Sequence, residues 1–240
     1  MNLQDSLQRG TLIRRYKRFL ADITLDDGTE ITAHCPNSGA MMGLNMPGLV
    51  VYVSESDSKT RKYPHTLEIV QLDDGTMVGI NTSHPNTIVQ EAIESGTLPS
   101  LSGYATLRRE VRYGENSRID ILLESDDAPR CYVEVKNVHL LRKPRLAEFP
   151  DSVTTRGAKH LRELADQVAT GARAVMVYLI QREDVDNFAF AADIDPGYTE
   201  AYLKAIAAGV ESVAIRCCVE RERIVAKHIV PVIHPSSSSP

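Results

Sequence analysis

The sequence predicts a chain of mixed class, α/β plus β: a small β-barrel over its first third, followed by an α/β domain built on a mixed central sheet. Three observations point there. Short apolar-alternating runs from about Leu12 to Thr82 are broken by Asp26-Asp27-Gly28, Pro36-Asn37-Ser38-Gly39, Met46-Pro47-Gly48 and Asp73-Asp74-Gly75, the punctuation of a small barrel. Two helical patterns, near 85–95 and 151–169, then alternate with strand-like segments. Finally, Ala172 to Ile180 is a continuous apolar run, which suits a parallel strand buried on both faces.

The elements follow in order. A boundary falls near Ser83-His84-Pro85, where Ser83 or His84 can cap a helix that has Pro85 in its first turn and Gly96 just past its end. Ile88, Val89, Ala92 and Ile93 form its apolar face. The runs 117–123 and 131–138 read as strands joined through Ser125-Asp126-Asp127-Ala128-Pro129. In the second helix Leu161, Leu164, Ala165 and Val168 fall on a core stripe, with Arg156, Lys159, His160, Glu163 and Gln167 on the opposite side. Asp195-Pro196 opens a third helix ended by Gly209, and 211–220 and 223–232 read as closing strands. The expected division is 1–83 for the barrel and 84–232 for the α/β domain, with a disordered serine-rich tail at 233–240. No internal repeat or glycine-rich phosphate loop occurs.

Composition excludes several classes. With 240 residues and 42% hydrophobic content the chain can bury one large core or two smaller ones. No apolar stretch approaches the ~20 residues that span a bilayer, and the first residues lack a signal peptide's basic start and apolar middle. A cytoplasmic protein without membrane contact is expected. Cys35, Cys131, Cys217 and Cys218 have no paired spacing, so neither a zinc site nor a disulfide framework is indicated. Cys35 lies beside His34, but neighbours on a strand point apart, which favours an ordered loop there. A net charge of −5 rules out a uniformly basic surface and confines any nucleic-acid contact to local patches. Such patches exist at Arg9, Arg14, Arg15, Lys17 and Arg18, at Lys59, Arg61 and Lys62, and at Arg142, Lys143 and Arg145, although solvated surface charge explains them equally.

The most telling segment is Glu134-Val135-Lys136, set after Cys131-Tyr132-Val133 and preceded by the Asp120 strand. Strand alternation puts Glu134 and Lys136 on one face and Val133 and Val135 on the other. If the two strands pair, three ionisable groups converge. Two carboxylates can share a hard divalent cation, and a lysine can orient or deprotonate a water or neutralise a phosphate. An ordinary cross-strand salt bridge is the alternative.

Asp followed by Glu-x-Lys on the next strand resembles the PD-(D/E)xK nuclease superfamily. A more specific likeness runs through Glu110-Val111-Arg112-Tyr113-Gly114, Ser117-Arg118-Ile119-Asp120, Tyr132 to Val138, Phe149-Pro150-Asp151 and Arg156 to Leu164. With Arg15 to Phe19, His34 to Gly39, Arg61-Lys62 and Asn81-Thr82, these motifs resemble the sugar fermentation stimulation protein A family from about Leu12 to about Val232. Ser38 and Ala40 depart from it, standing where Thr and Ser are expected. The resemblance implies an OB-like barrel followed by a nuclease-like domain, DNA binding and a link to sugar metabolism. On that reading Asp120, Glu134 and Lys136 are catalytic, and Mg2+ or Mn2+ is held by Asp120, Glu134 and an acid from the first helix, Glu91, with Glu110 as the competing acid and the Val135 carbonyl as a further ligand. DNA of unspecified strand form is contacted by Lys17, Arg18, Arg61, Lys62, Arg156, Lys159 and His160. The alternative is a non-catalytic DNA-binding regulator of sugar metabolism on the same fold. No residue pattern supports an enzyme acting on a sugar or another phosphate ligand. The oligomeric state stays open, a homodimer included.

Overall fold

The computed structural model describes residues 1–3 and 7–235. The barrel comprises β1 (Gln8–Tyr16), β2 (Leu20–Leu25), β3 (Glu30–His34), β4 (Val50–Glu55), β5 (His65–Gln71) and the short β6 (Met77–Gly79). Its turns use the chemistry the sequence announces. Asp27 Oδ1 accepts Thr29 N–H and Asp74 Oδ1 accepts Thr76 N–H, each at 2.9 Å, around glycines at φ 87° and 89°.

The strands run β3-β2-β1-β4-β5-β6, and a β3–β5 pairing at His34 and Thr66 closes β1 to β5 into a ring. Successive partners lead from Tyr16 to Leu20, His34, Thr66 and Ser54, next to Val53, which pairs with Gln8 at the far end of β1. That stagger is what a closed barrel requires. It also brings the β1–β2 turn and the β4–β5 loop to the same side of the barrel, flanking the His34–Thr66 seam from its two ends. Val51, Val53 and Leu67 fill the barrel with Leu12 and Ile23, whereas Tyr52 and Ile69 point outward into the core of the second domain.

That domain contains α1 (Pro85–Glu94), β7 (Thr106–Tyr113), β8 (Ser117–Ser125), β9 (Ala128–Val138), β10 (Leu140–Lys143), β11 (Arg145–Phe149), α2 (Thr155–Ala169), β12 (Arg173–Ile180), β13 (Val185–Phe190), α3 (Pro196–Ala207), β14 (Glu211–Val219), β15 (Ile224–Val230) and β16 (Val232–Ile233). The central sheet has the order β15-β14-β12-β9-β8-β7. β12 lies parallel to both β9 and β14 and is buried along almost its whole length, as its unbroken apolar run implies. α1 covers one face of the sheet and α2 with α3 the other, giving two cores.

Helix caps differ in how they match the sequence. Asp195 Oδ1 accepts Tyr198 N–H at 2.9 Å to start α3, while its Oδ2 accepts Thr154 N–H at 2.7 Å where α2 begins. His84 occupies the α1 cap position without a capping hydrogen bond; Asn81 Oδ1 instead accepts Ser83 N–H and Oγ–H.

A second sheet, β10-β11-β13-β16, did not stand out in the sequence, because its strands are short and interleaved with polar residues. The expected closing strand 223–232 divides at Pro231, which has no N–H for a ladder, and β16 joins this second sheet. Of the tail expected to be disordered, Ile233 ends β16 and His234 Nδ1 lies 2.9 Å from the Tyr202 hydroxyl; residues 236–240 lie outside the described residues. Among the described residues no helix is long and apolar enough to cross a membrane.

Candidate functional site

β8 and β9 pair antiparallel as far as Ile121 with Val133, and beyond that rung the strands part. Asp120 fills the opening. Its Oδ2 accepts Val135 N–H at 2.7 Å, and its Oδ1 accepts Asn86 Nδ2 from the first turn of α1 at 2.9 Å. Val133 and Val135 pack in the α1-side core, which turns Glu134 and Lys136 toward α2, as strand alternation dictates. Lys136 Nζ donates to Glu134 Oε1 at 2.6 Å. The same oxygen meets His160 Nδ1 from α2, and His160 Nε2 accepts Arg156 Nε at 3.3 Å. His160 therefore carries its proton on Nδ1 and donates it to Glu134.

Glu134 Oε2 is buried with no hydrogen-bond partner. Glu134 is only 2% exposed, and burial alone would raise its carboxyl; Lys136 and His160 outweigh burial and hold it below the usual range. Asp120 goes the other way. Burial, then the Glu134 charge, push it up to about 6 against the pull of Val135 N–H, Asn86 and Lys136. Tyr113, whose hydroxyl is also buried and unpartnered, is pushed up by burial and by the charges of Glu134, Glu163 and Asp120. The result is a buried, acid-rich pocket in which the carboxylate oxygens Glu134 Oε2 and Glu163 Oε2 are both left without a donor.

The structure brings Asp120, Glu134 and Lys136 together but not Glu91. Glu91 is half exposed and pairs with the Met1 amino group, because five residues of helix turn it away from Asn86. Glu110, the competing acid, lies nearer: its Oε1 is 3.4 Å from the same Asn86 Nδ2 that holds Asp120. His160 and Glu163, on the side of α2 opposite its expected core stripe, face the centre rather than solvent. Both are buried, at 4% and 6% exposure. Periodicity places residues on a helix face, but polar groups across the interface decide which face is inward. Glu163 Oε1 accepts Glu115 N–H at 3.1 Å, and Lys159 Nζ donates to Glu115 O at 2.8 Å, so Lys159 braces the β7–β8 turn. Arg156 is exposed at the α2 start, beside His160.

Of the barrel residues, Arg18 donates to Ser38 O from Nε and Nη2 at 3.0 and 2.8 Å, and Arg61 Nη2 donates to Thr66 Oγ1 at 3.1 Å. Lys62 lies over the Tyr63 ring, and Lys17 has the left-handed φ of 48° at the β1–β2 turn. Arg15 Nη2 ties that turn to the next loop by donating to the carbonyls of Arg18, Asn37 and Gly39. That loop docks on the second domain: Asp151 Oδ2 accepts Met41 N–H at 3.3 Å and sits 3.3 Å from His139 Nε2. The β1–β2 turn is thereby fixed near the start of α2. Asn86, Tyr113 and Glu163 belong to the site without having been singled out for it, since their roles depend on contacts between distant segments.

Among the described residues no group of three or more His, Cys, Asp or Glu is arranged as a metal cage. Two carboxylates with an orphaned oxygen nevertheless fit a hard cation that takes few protein ligands and keeps its waters.

Residues 83–223 match the sugar fermentation stimulation protein RE domain, and residues 13–80 match the SfsA N-terminal OB domain. The chain belongs to the sugar fermentation stimulation protein family. Homologues of that name from Brucella ovis and Brucella melitensis are 57% and 56% identical to it over 223 residues, covering 93% of each chain. A solved structure of Pyrococcus furiosus SfsA in complex with Ca2+ superposes with a TM-score of 0.87 at 28% identity, over 97% of this chain and 98% of that one. The OB domain and the α/β domain beyond it agree with the family's architecture.

Proposed function

We propose that the chain is a cytoplasmic DNA-binding protein whose Asp120–Glu134–Lys136 centre hydrolyses phosphodiesters with Mg2+ or Mn2+. The observation that carries this is Glu134 Oε2, a buried carboxylate oxygen without a donor, beside an Asp120 already pushed toward protonation by burial and then by its neighbour's charge. Two crowded carboxylates of this kind favour a cation between them. Asp120 and Glu134 would hold it, with the Val135 carbonyl as a further ligand and Glu110, rather than Glu91, as the additional acid. When bound, the ion would lower the pKa of a coordinated water and polarise the phosphate. The Pyrococcus furiosus relative is described in complex with Ca2+, another cation that prefers oxygen ligands.

The chain's own residues supply the rest. Lys136 stands where it can orient water or neutralise charge growing on the phosphate. His160 is a positioning residue that fixes Glu134, and Arg156 extends the array outward. Lys17, Arg18, Arg61 and Lys62, brought to one side of the barrel by its closure, offer a backbone-tracking surface for DNA.

Cleavage of single-strand, duplex and branched DNA with Mg2+ or Mn2+, together with calorimetric metal titration, tests the reading. Wild type should bind metal and cleave, and Asp120→Ala should do neither. A wild type that cuts none of these substrates with either metal refutes catalysis. One observation favours a second reading, a non-catalytic DNA-binding regulator: Glu134 Oε1 is already satisfied by Lys136 and His160, a self-sufficient structural arrangement. That reading expects salt-sensitive DNA binding without cleavage.

A further inference from the structure

β7 and β8 keep one antiparallel register from Thr106 with Glu124 to Tyr113 with Ser117, interrupted only at Glu110 and Asp120, which do not pair; this sets Arg112 opposite Arg118. Like charges directly opposite one another on a ladder repel. Neither guanidinium has an ion-pair or hydrogen-bond partner among the described residues, although Arg108 on the same strand is paired with Glu124. No acid joins them in the cavity of about 440 Å³ that they line with Tyr113, Gly114, Asn116 and Ser117.

The hairpin turns over at Glu110 and Asp120. Leu107, Ile121 and Leu123 lie on the α1 side of the sheet, whereas Val111, Tyr113 and Ile119 lie on the α2 side, and Glu110 between them has a left-handed φ of 55°. Strain of this kind gathers at functional sites. Because of the turn-over, Arg112 and Arg118, which alternate with Val111, Tyr113 and Ile119, point away from α2, to the side from which Asn86 holds Asp120. Arg118 is two residues from Asp120 along β8, about 6.8 Å, comparable to the spacing of successive phosphates on a nucleic-acid strand.

We infer that Arg112 and Arg118 form a paired-guanidinium subsite, on the α1 side of the sheet, for the phosphate next to the one addressed at Asp120. This rests on the nucleic-acid reading above and deepens it: the substrate must present a phosphodiester flanking the cleaved one. Two planar guanidinia can share one phosphate through several charge-assisted hydrogen bonds, and the phosphate removes their mutual repulsion.

The test is a fluorescence-polarisation titration of a labelled oligothymidylate in EDTA over a salt series, on wild type, the double variant Arg112→Gln/Arg118→Gln, and Asp120→Asn. The slope of log K against log salt should become shallower by about one in the double variant, with weaker binding, whereas Asp120→Asn, which removes an anion beside the neighbouring phosphate, should not weaken binding. The double variant should melt at or above the wild-type temperature, since a repulsive pair has been neutralised. An unchanged slope in the double variant overturns the subsite, as does a lowered melting temperature, which would make the arginines structural. Binding without any cleavage by wild type leaves the subsite standing and removes only the catalytic reading, whereas failure of wild type to bind the oligonucleotide overturns both.

Discussion

Replacing Asp120 with Asn should stabilise the metal-free protein while destroying its metal response. The Asp120 carboxyl is raised from 3.8 to about 6, chiefly by burial and the Glu134 charge. Below pH 3.8 the group is protonated whether the chain is folded or not and carries no penalty. Between there and about 6 the folded chain keeps a proton that the unfolded chain has lost, so the contribution to stability falls as pH rises. Above 6 the penalty is full, about 3 kcal/mol for a difference of that size. Asn removes the charge and still accepts Val135 N–H, and Asn86 can turn its amide to receive the new NH2 group. Allowing about 1 kcal/mol for imperfect hydrogen bonding, the variant should be about 2 kcal/mol more stable than wild type at pH 7.5 in EDTA, the gap closing toward pH 4. Urea unfolding of both proteins from pH 4 to 8 measures it. Saturating Mg2+, at about 100 times its Kd, should then restore about 2.7 kcal/mol to wild type alone. A variant less stable than wild type in EDTA at pH 7.5, or a gap independent of pH, would refute the crowded-carboxylate argument.

Other perturbations follow from the same geometry. Lys136→Met keeps the packing volume but removes the cation from Glu134 Oε1; cleavage should fall by at least about 100-fold, read in a gel assay beside a circular-dichroism check of folding. His160→Ala breaks a buried charge-assisted bond to Glu134 and should cost about 2 kcal/mol, seen as a lower urea midpoint. Gly39→Ala would place a Cβ 2.3 Å from Asp151 Oδ2, so the barrel loop must lift from the second domain. The expected loss is about 1–3 kcal/mol, and it should shrink when combined with Asp151→Ala, as thermal unfolding of the cycle would show.

Much of the site was legible because its signal is local. Asp120, Glu134 and Lys136 stand out as charges on apolar strands, and alternation by itself puts Glu134 and Lys136 on the face opposite Val133 and Val135. The Asp195-Pro196 cap and the Asp-Gly turns of the barrel are likewise short-range hydrogen-bond chemistry, readable wherever it occurs. Glu91 and Glu110 were not separable on such grounds, since each is an acid on an element near the centre. Tertiary contacts set them apart in position: Asn86 reaches across from α1 to Glu110 and Asp120, while Glu91 faces the amino terminus.

The sequence alone thus determined the order of elements, the strand pair that bears Asp120, Glu134 and Lys136 and the residue types set on it, because these follow from backbone periodicity and turn preference. Tertiary structure decided which polar side chains are buried, as His160 and Glu163 are, and that barrel closure brings Arg18 and Arg61 to one side. It also decided that β7 and β8 turn over at Glu110, which sends the opposed Arg112 and Arg118 to the side away from α2. The first two outcomes depend on partners tens of residues away, whose approach no local pattern encodes.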